Sequence, residues 1–118
     1  MKSLIVKRVG AIAAGDTVLW TPSAGLRVQL LGYSVGVPQA TTAAPNVSNS
    51  SYIRDNGVDI FDIFDMSTAA ATSVPLAYSV ALEGNGYIQG ADNTSLVIHN
   101  VYAYTTGGVV VTAWGYEI

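Results

Sequence analysis

Residues 26–37, Leu-Arg-Val-Gln-Leu-Leu-Gly-Tyr-Ser-Val-Gly-Val, alternate more regularly than any other stretch of the chain. Leu26, Val28 and Leu30 share one parity; after Leu31, Tyr33, Val35 and Val37 continue on the other. A period of two predicts a strand, and the switch at Leu30-Leu31-Gly32 predicts a β-bulge or a sharp bend. Residues 76–82 also alternate, with Leu76, Tyr78, Val80 and Leu82 on one face, and predict a second strand. Toward the C-terminus, residues 96–104 and 109–116 are β-branched and aromatic, and Thr105-Thr106-Gly107-Gly108 between them supplies turn glycines. They read as two long strands of one hairpin, apolar in part on both faces, so that one face covers a core and the other wants a partner.

The remaining punctuation fills in the fold. Residues 3–9 are β-rich and make a first strand or an extended arm, Thr17-Val18-Leu19-Trp20 a short strand, and Thr21-Pro22-Ser23-Ala24-Gly25 a stop. Residues 38–51 form a low-complexity loop of Ala, Thr, Ser, Asn and Pro. Residues 52–64 predict a hairpin turned at Asn56-Gly57; Ile60, Phe61 and Phe64 would also line a helical face, but length and β-branched content favour a strand. Residues 65–75 are a small-residue loop with room for one helical turn at 67–71, and Tyr87-Ile88-Gln89 is a short strand between glycine-containing turns. About eight short strands with frequent turn signals predict an all-β antiparallel β-sandwich, a jelly roll, in a single domain over residues 1–118.

Composition adds a need for company. Half of the 118 residues are hydrophobic and 11% are charged, against about 25% charged in an ordinary soluble domain. So few charges cannot clothe a monomer of this size, which predicts obligate assembly. The net charge of −3 speaks against nucleic-acid binding, yet three of the five cations, Lys2, Lys7 and Arg8, lie in the first eight residues. There is no cysteine for a disulfide or a thiolate metal site. Lys7 and Arg8 interrupt the first apolar run too early for a secretory signal, and no run is long enough for a membrane-spanning helix, so a soluble chain with its N-terminal end retained and no membrane partner is expected.

Candidate chemistry is thin. His99 is the only histidine, no nucleophile-elbow pattern surrounds any serine, and no catalytic residue, metal ligand or cofactor is assigned. Asp55, Asp59, Asp62 and Asp65 form the densest charge cluster; on a regular strand Asp59, Asp62 and Asp65 alternate faces and cannot converge, so an acidic rim is expected. Among the aromatic residues, Tyr102, Tyr104, Trp114 and Tyr116 on the two arms of the final hairpin are the candidate patch for an oligomer interface.

Val18-Leu19-Trp20-Thr21-Pro22-Ser23-Ala24-Gly25 running into residues 26–34, Gly84-Asn85-Gly86-Tyr87-Ile88 downstream, and the closing Gly115-Tyr116-Glu117 resemble small virion proteins of tailed bacteriophages. The resemblance implies a jelly roll, a homotrimer, and capsid cementing or decoration by bridging subunits of the major capsid protein at the virion surface, without enzyme activity. On that reading Lys2, Lys7 and Arg8 contact the capsid. The alternative it leaves open is a tail-fibre or receptor-binding jelly roll with a surface glycan as partner; a free carbohydrate-binding module predicts a monomer, and an enzyme is the weakest case.

Overall fold

A computed structural model of the chain describes residues 2–43, 48–67 and 75–118. Among the described residues there are eleven strands and no helix: β1 Ile5–Ala11, β2 Gly15–Trp20, β3 Val28–Val37, β4 Thr42–Ala43, β5 Asn49–Asp55, β6 Val58–Met66, β7 Leu76–Ala81, β8 Tyr87–Ile88, β9 Leu96–Asn100, β10 Tyr104–Thr106 and β11 Val109–Glu117. The helical turn considered at 67–71 lies, past Ser67, outside the described residues.

The strands make an antiparallel sandwich. One sheet runs β1-β11-β3-β7, with β8 beside β3, and the other runs β2-β9-β5-β6. The short strands β10 and β4 pair by themselves. The long-strand pairings are nested: β1 with β11, β2 with β9, β3 with β7, and β5 with β6. Two further ladders, β11 with β3 and β9 with β5, join these pairs side by side.

Inward-facing side chains of both sheets build one core around Trp20, Leu30, Val35, Ile53, Leu96, Ile98 and Val111, each essentially without solvent contact. Polar clasps tie the layers together. The buried Gln89 accepts from the Val28 N–H (2.7 Å) and donates to Asp55 (3.1 Å), while the Trp20 indole N–H donates to Glu117 (2.9 Å). The Tyr78 hydroxyl donates to the Ile63 carbonyl across the sandwich.

The alternation in β3 resolves as the sequence predicts. Trp114 pairs with Gly32 but Gly115 pairs with Leu30, so Leu31 is the extra residue of a bulge. One inserted residue reverses parity, and Val28 and Leu30 therefore face the core together with Tyr33, Val35 and Val37. The 52–64 hairpin also forms, with Asn56 and Gly57 both at positive φ, as a tight strand connection of this twist requires.

The C-terminal hairpin does not form. β9 belongs to the four-stranded sheet between β2 and β5, whereas β11 lies between β1 and β3 in the other sheet. Each strand has two ladder partners in its own sheet, and from there both turn alternating apolar residues into the common core. The glycines between them serve a corner: a Cβ on Gly107 would lie 2.1 Å from Thr41 Oγ1, and one on Gly108 2.6 Å from Ile12 Cγ2.

The loop expected over 38–51 is interrupted by β4 and cut short by β5, which starts at Asn49. Its inward residues there are polar and satisfied. Asn49 brackets the Tyr102 backbone, accepting from its N–H at 2.9 Å and donating to its carbonyl at 2.8 Å, and Ser51 donates to Asn100 at 2.7 Å.

Candidate functional site: the outer face of the five-stranded sheet

The outward residues of β1, β11, β3 and β7 fall in cross-strand rows. Those spanning all four strands are Val6-Trp114-Gly32-Ala81, Arg8-Thr112-Ser34-Ser79 and Gly10-Val110-Gly36-Ala77. Nearly all are small or apolar, and Arg8 is the one ionised side chain among them. Small side chains leave the strands' surface low, and Arg8 borders a shallow depression of about 400 Å³ with Ser34, Gly36, Ala77, Ser79 and Thr112. Trp114 fills the next row. Its indole covers Gly32, and a Cβ there would be 2.4 Å from Trp114 Cζ2.

The outer face of the four-stranded sheet has the opposite character. Asp16 and His99, adjacent on β2 and β9, are 2.6 Å apart through Asp16 Oδ1 and His99 Nδ1. Arg54 on β5 donates to Asp59 at 2.8 Å and lies 4.0 Å from Asp16. These ionic groups bind water and one another, so this face is at ease in solvent. The five-stranded face has no such set and is the better candidate for a covered surface.

The four aromatic residues expected to form one interface are separated by the two-sheet arrangement. Trp114 and Tyr116 share the outer face of β11, half-buried. Tyr104 is a core residue: its ring packs near Phe64, its hydroxyl meets Ser51 at 2.6 Å, and burial raises its pKa. That corrects its assignment to an exposed interface. Tyr102 is exposed on the connection between β9 and β10, away from the ladder of β11.

The three N-terminal cations divide as well. Arg8 joins the outer face; Lys2 precedes β1 and is exposed. Lys7 has the opposite parity, and its charge helps hold the Glu117 carboxyl below its usual range, an effect led by the Trp20 hydrogen bond and then by the Ser23 backbone N–H. Because β1 pairs along its length with β11, Lys7 and Arg8 lie on a ladder strand.

The acidic residues behave differently from the expectation for a regular strand. β6 carries two register shifts against β5, so that Tyr52 faces Asp62 and Arg54 faces Asp59, with Ile63 and Ile60 as the extra residues. Each bulge reverses parity once, which returns Asp59, Asp62 and Asp65 to the same outward side. Burial, then a hydrogen bond from the protonated Asp62 to Asp65, then the charges of Asp65 and Asp59 raise the Asp62 pKa. The sequence held a signal for this: Asp59-Ile60-Phe61, Asp62-Ile63-Phe64 and Asp65 repeat with a period of three in a segment otherwise suited to a strand. Asp55 departs from the set and turns inward, accepting from Tyr87 at 2.6 Å and from Gln89 at 3.1 Å. Among the described residues, no three His, Cys, Asp or Glu side chains gather to hold a metal ion.

Comparison with family models, curated proteins and solved structures finds no match to this chain.

Proposed function

We propose that the chain is a structural virion protein of a tailed bacteriophage, a homotrimeric jelly-roll cement protein on the capsid surface that bridges subunits of the major capsid protein. The observation that carries this reading is the contrast between the two outer faces, one laced with ion pairs and the other, around Arg8 and Trp114, almost free of charge. A cement protein needs such a charge-poor face, broad and shallow, to lie on a shell. Three copies on one local axis multiply weak individual contacts by their effective concentration.

The strand order supports the jelly-roll part of the proposal. With β4, β8 and β10 set aside, eight strands remain, four in each sheet, and their nested pairing is that of a long hairpin rolled up into two layers. His99 is engaged with Asp16 and receives no catalytic role in this reading.

The test is co-sedimentation of the purified chain with heads of the phage that encodes it. Saturable binding is expected, weakened at least tenfold by Arg8→Glu or Trp114→Ala in variants that keep their β-type circular dichroism. A folded chain that leaves the heads bare overturns the cement role.

A further inference from the structure

The sandwich has two sides where its sheets end, one made by β1 and β2 and the other by β7 and β6. Their charges are opposite. Lys2, Lys7 and Arg8 lie on or just before β1, and the one acid on these two strands, Asp16, is held by His99 and Arg54. β6 carries Asp59, Asp62 and Asp65, and neither β6 nor β7 contains a cation. Arg54 satisfies Asp59, which leaves Asp62 and Asp65 with no ion-pair partner among the described residues.

The two sides also carry the most exposed apolar side chains. Leu4, Ile12 and Val18 on the first side and Val58 on the second are each more than half exposed, and Leu76 beside Asp65 is 38% exposed. Among the described residues, β1 pairs only with β11 and β7 only with β3, so the outer backbone edge of each is open.

We infer that these two sides are made for each other: the β1/β2 side of one copy docks on the β6/β7 side of the next, head to tail, with Lys2 and Lys7 facing Asp62 and Asp65. The occupant is a second copy because both complementary halves are on the same chain, at opposite ends of the same layers. A twofold arrangement is disfavoured, since joining like sides sets cations against cations or carboxylates against carboxylates. A head-to-tail contact closes into a ring when its rotation permits. This inference rests on the self-association proposed above and supplies its interface, leaving the Arg8–Trp114 face free for the shell. The mutual repulsion of Asp62 and Asp65 within one copy is relieved by cations from the next.

The experiment measures mass by light scattering, in multiples of the 12.3 kDa chain. The wild type is expected at three chains, and Lys2→Glu/Lys7→Glu and Asp62→Lys/Asp65→Lys each at one, with circular dichroism unchanged. Combining all four substitutions in one chain exchanges the two sides and restores the trimer, which separates loss of contact from damage to the fold. An equimolar mixture of the two reversals forms alternating contacts only, giving pairs and open chains of mixed mass in place of the closed three-chain ring. If the wild type is oligomeric and both reversals keep its mass, or if the four-fold variant stays single, the side-to-side contact is wrong while self-association stands. A wild type that remains at 12.3 kDa at high concentration overturns both.

Discussion

Trp114 and Gly32 form a single unit across the β11–β3 ladder: they are direct register partners, and the indole occupies the space that any side chain at position 32 would need. A methyl group there would also approach the Val80 carbonyl to 2.7 Å, so it is confined on both sides. Gly32→Ala is therefore expected to destabilise the fold by roughly 1–3 kcal/mol, the usual range for overpacking. Gly32→Ala/Trp114→Ala should cost less than the two single changes together. Urea unfolding of the four proteins measures this coupling, and strict additivity would contradict it.

The bulge at Leu31 makes a sharper prediction. Deleting that residue restores a strict period of two and turns either Tyr33, Val35 and Val37 or Val28 and Leu30 out of the core. Burial of such side chains is worth about 1.5–3 kcal/mol each, and a whole domain is stable by only about 5–15 kcal/mol. The deletion should abolish cooperative unfolding seen by calorimetry, while Leu31→Ala, which keeps the register, should retain it.

Glu117 links stability to acid. Its folded pKa is lowered, first by the Trp20 N–H and then by Ser23, so its contribution is fully present above the ordinary glutamate value near 4.5 and is lost as pH falls through the lower folded value. Wild type should thus exceed Glu117→Gln in melting temperature at neutral pH, with the gap closing below pH 4. A gap independent of pH would assign the effect to shape alone.

Asp62 has the opposite sign. A carboxyl with a raised folded pKa costs stability above that value and nothing below its unfolded value near 3.8. In the dissociated chain, Asp62→Asn should stabilise at pH 7 and be neutral near pH 3, as followed by thermal melts across that range.

Tyr104 distinguishes a core hydroxyl from a subunit contact. Ser51 donates to Asn100, so Tyr104 donates to Ser51, and Tyr104→Phe removes one buried hydrogen bond. The expected loss is about 1 kcal/mol, with the oligomer mass in light scattering unchanged. A dissociated oligomer at undiminished stability would return Tyr104 to the interface.

What the chain discloses in advance is its periodicity. The bulge in β3 was legible because Leu30-Leu31 breaks an otherwise clean alternation, and the Asn56-Gly57 turn because few other dipeptides accept two positive φ angles. Which strands become neighbours was less accessible. β9 and β11 have the chemistry of hairpin partners and a glycine-rich link, yet ladder partners far away in sequence recruit them into different sheets. The start of β5 was hidden for another reason: Asn49 and Ser51 resemble loop residues until Tyr102, Asn100 and Tyr104 are beside them. The uncharged face was legible only as a shortage of charge, because rows such as Val6-Trp114-Gly32-Ala81 assemble from four distant segments. The acidic rim on β6 was legible, but the shared face of Asp59, Asp62 and Asp65 was not, because a strand with two bulges has a local period near three.

Strand β11 occupies the middle of its sheet, between β1 and β3, although it follows both by more than seventy positions in the sequence. Among the described residues it is the one ladder neighbour that β1 has and the strand that joins β1 to β3. A chain cut before Val109 would lose this keystone and bare the ladder edges of β1 and β3 at once, turning a continuous layer into two sticky fragments.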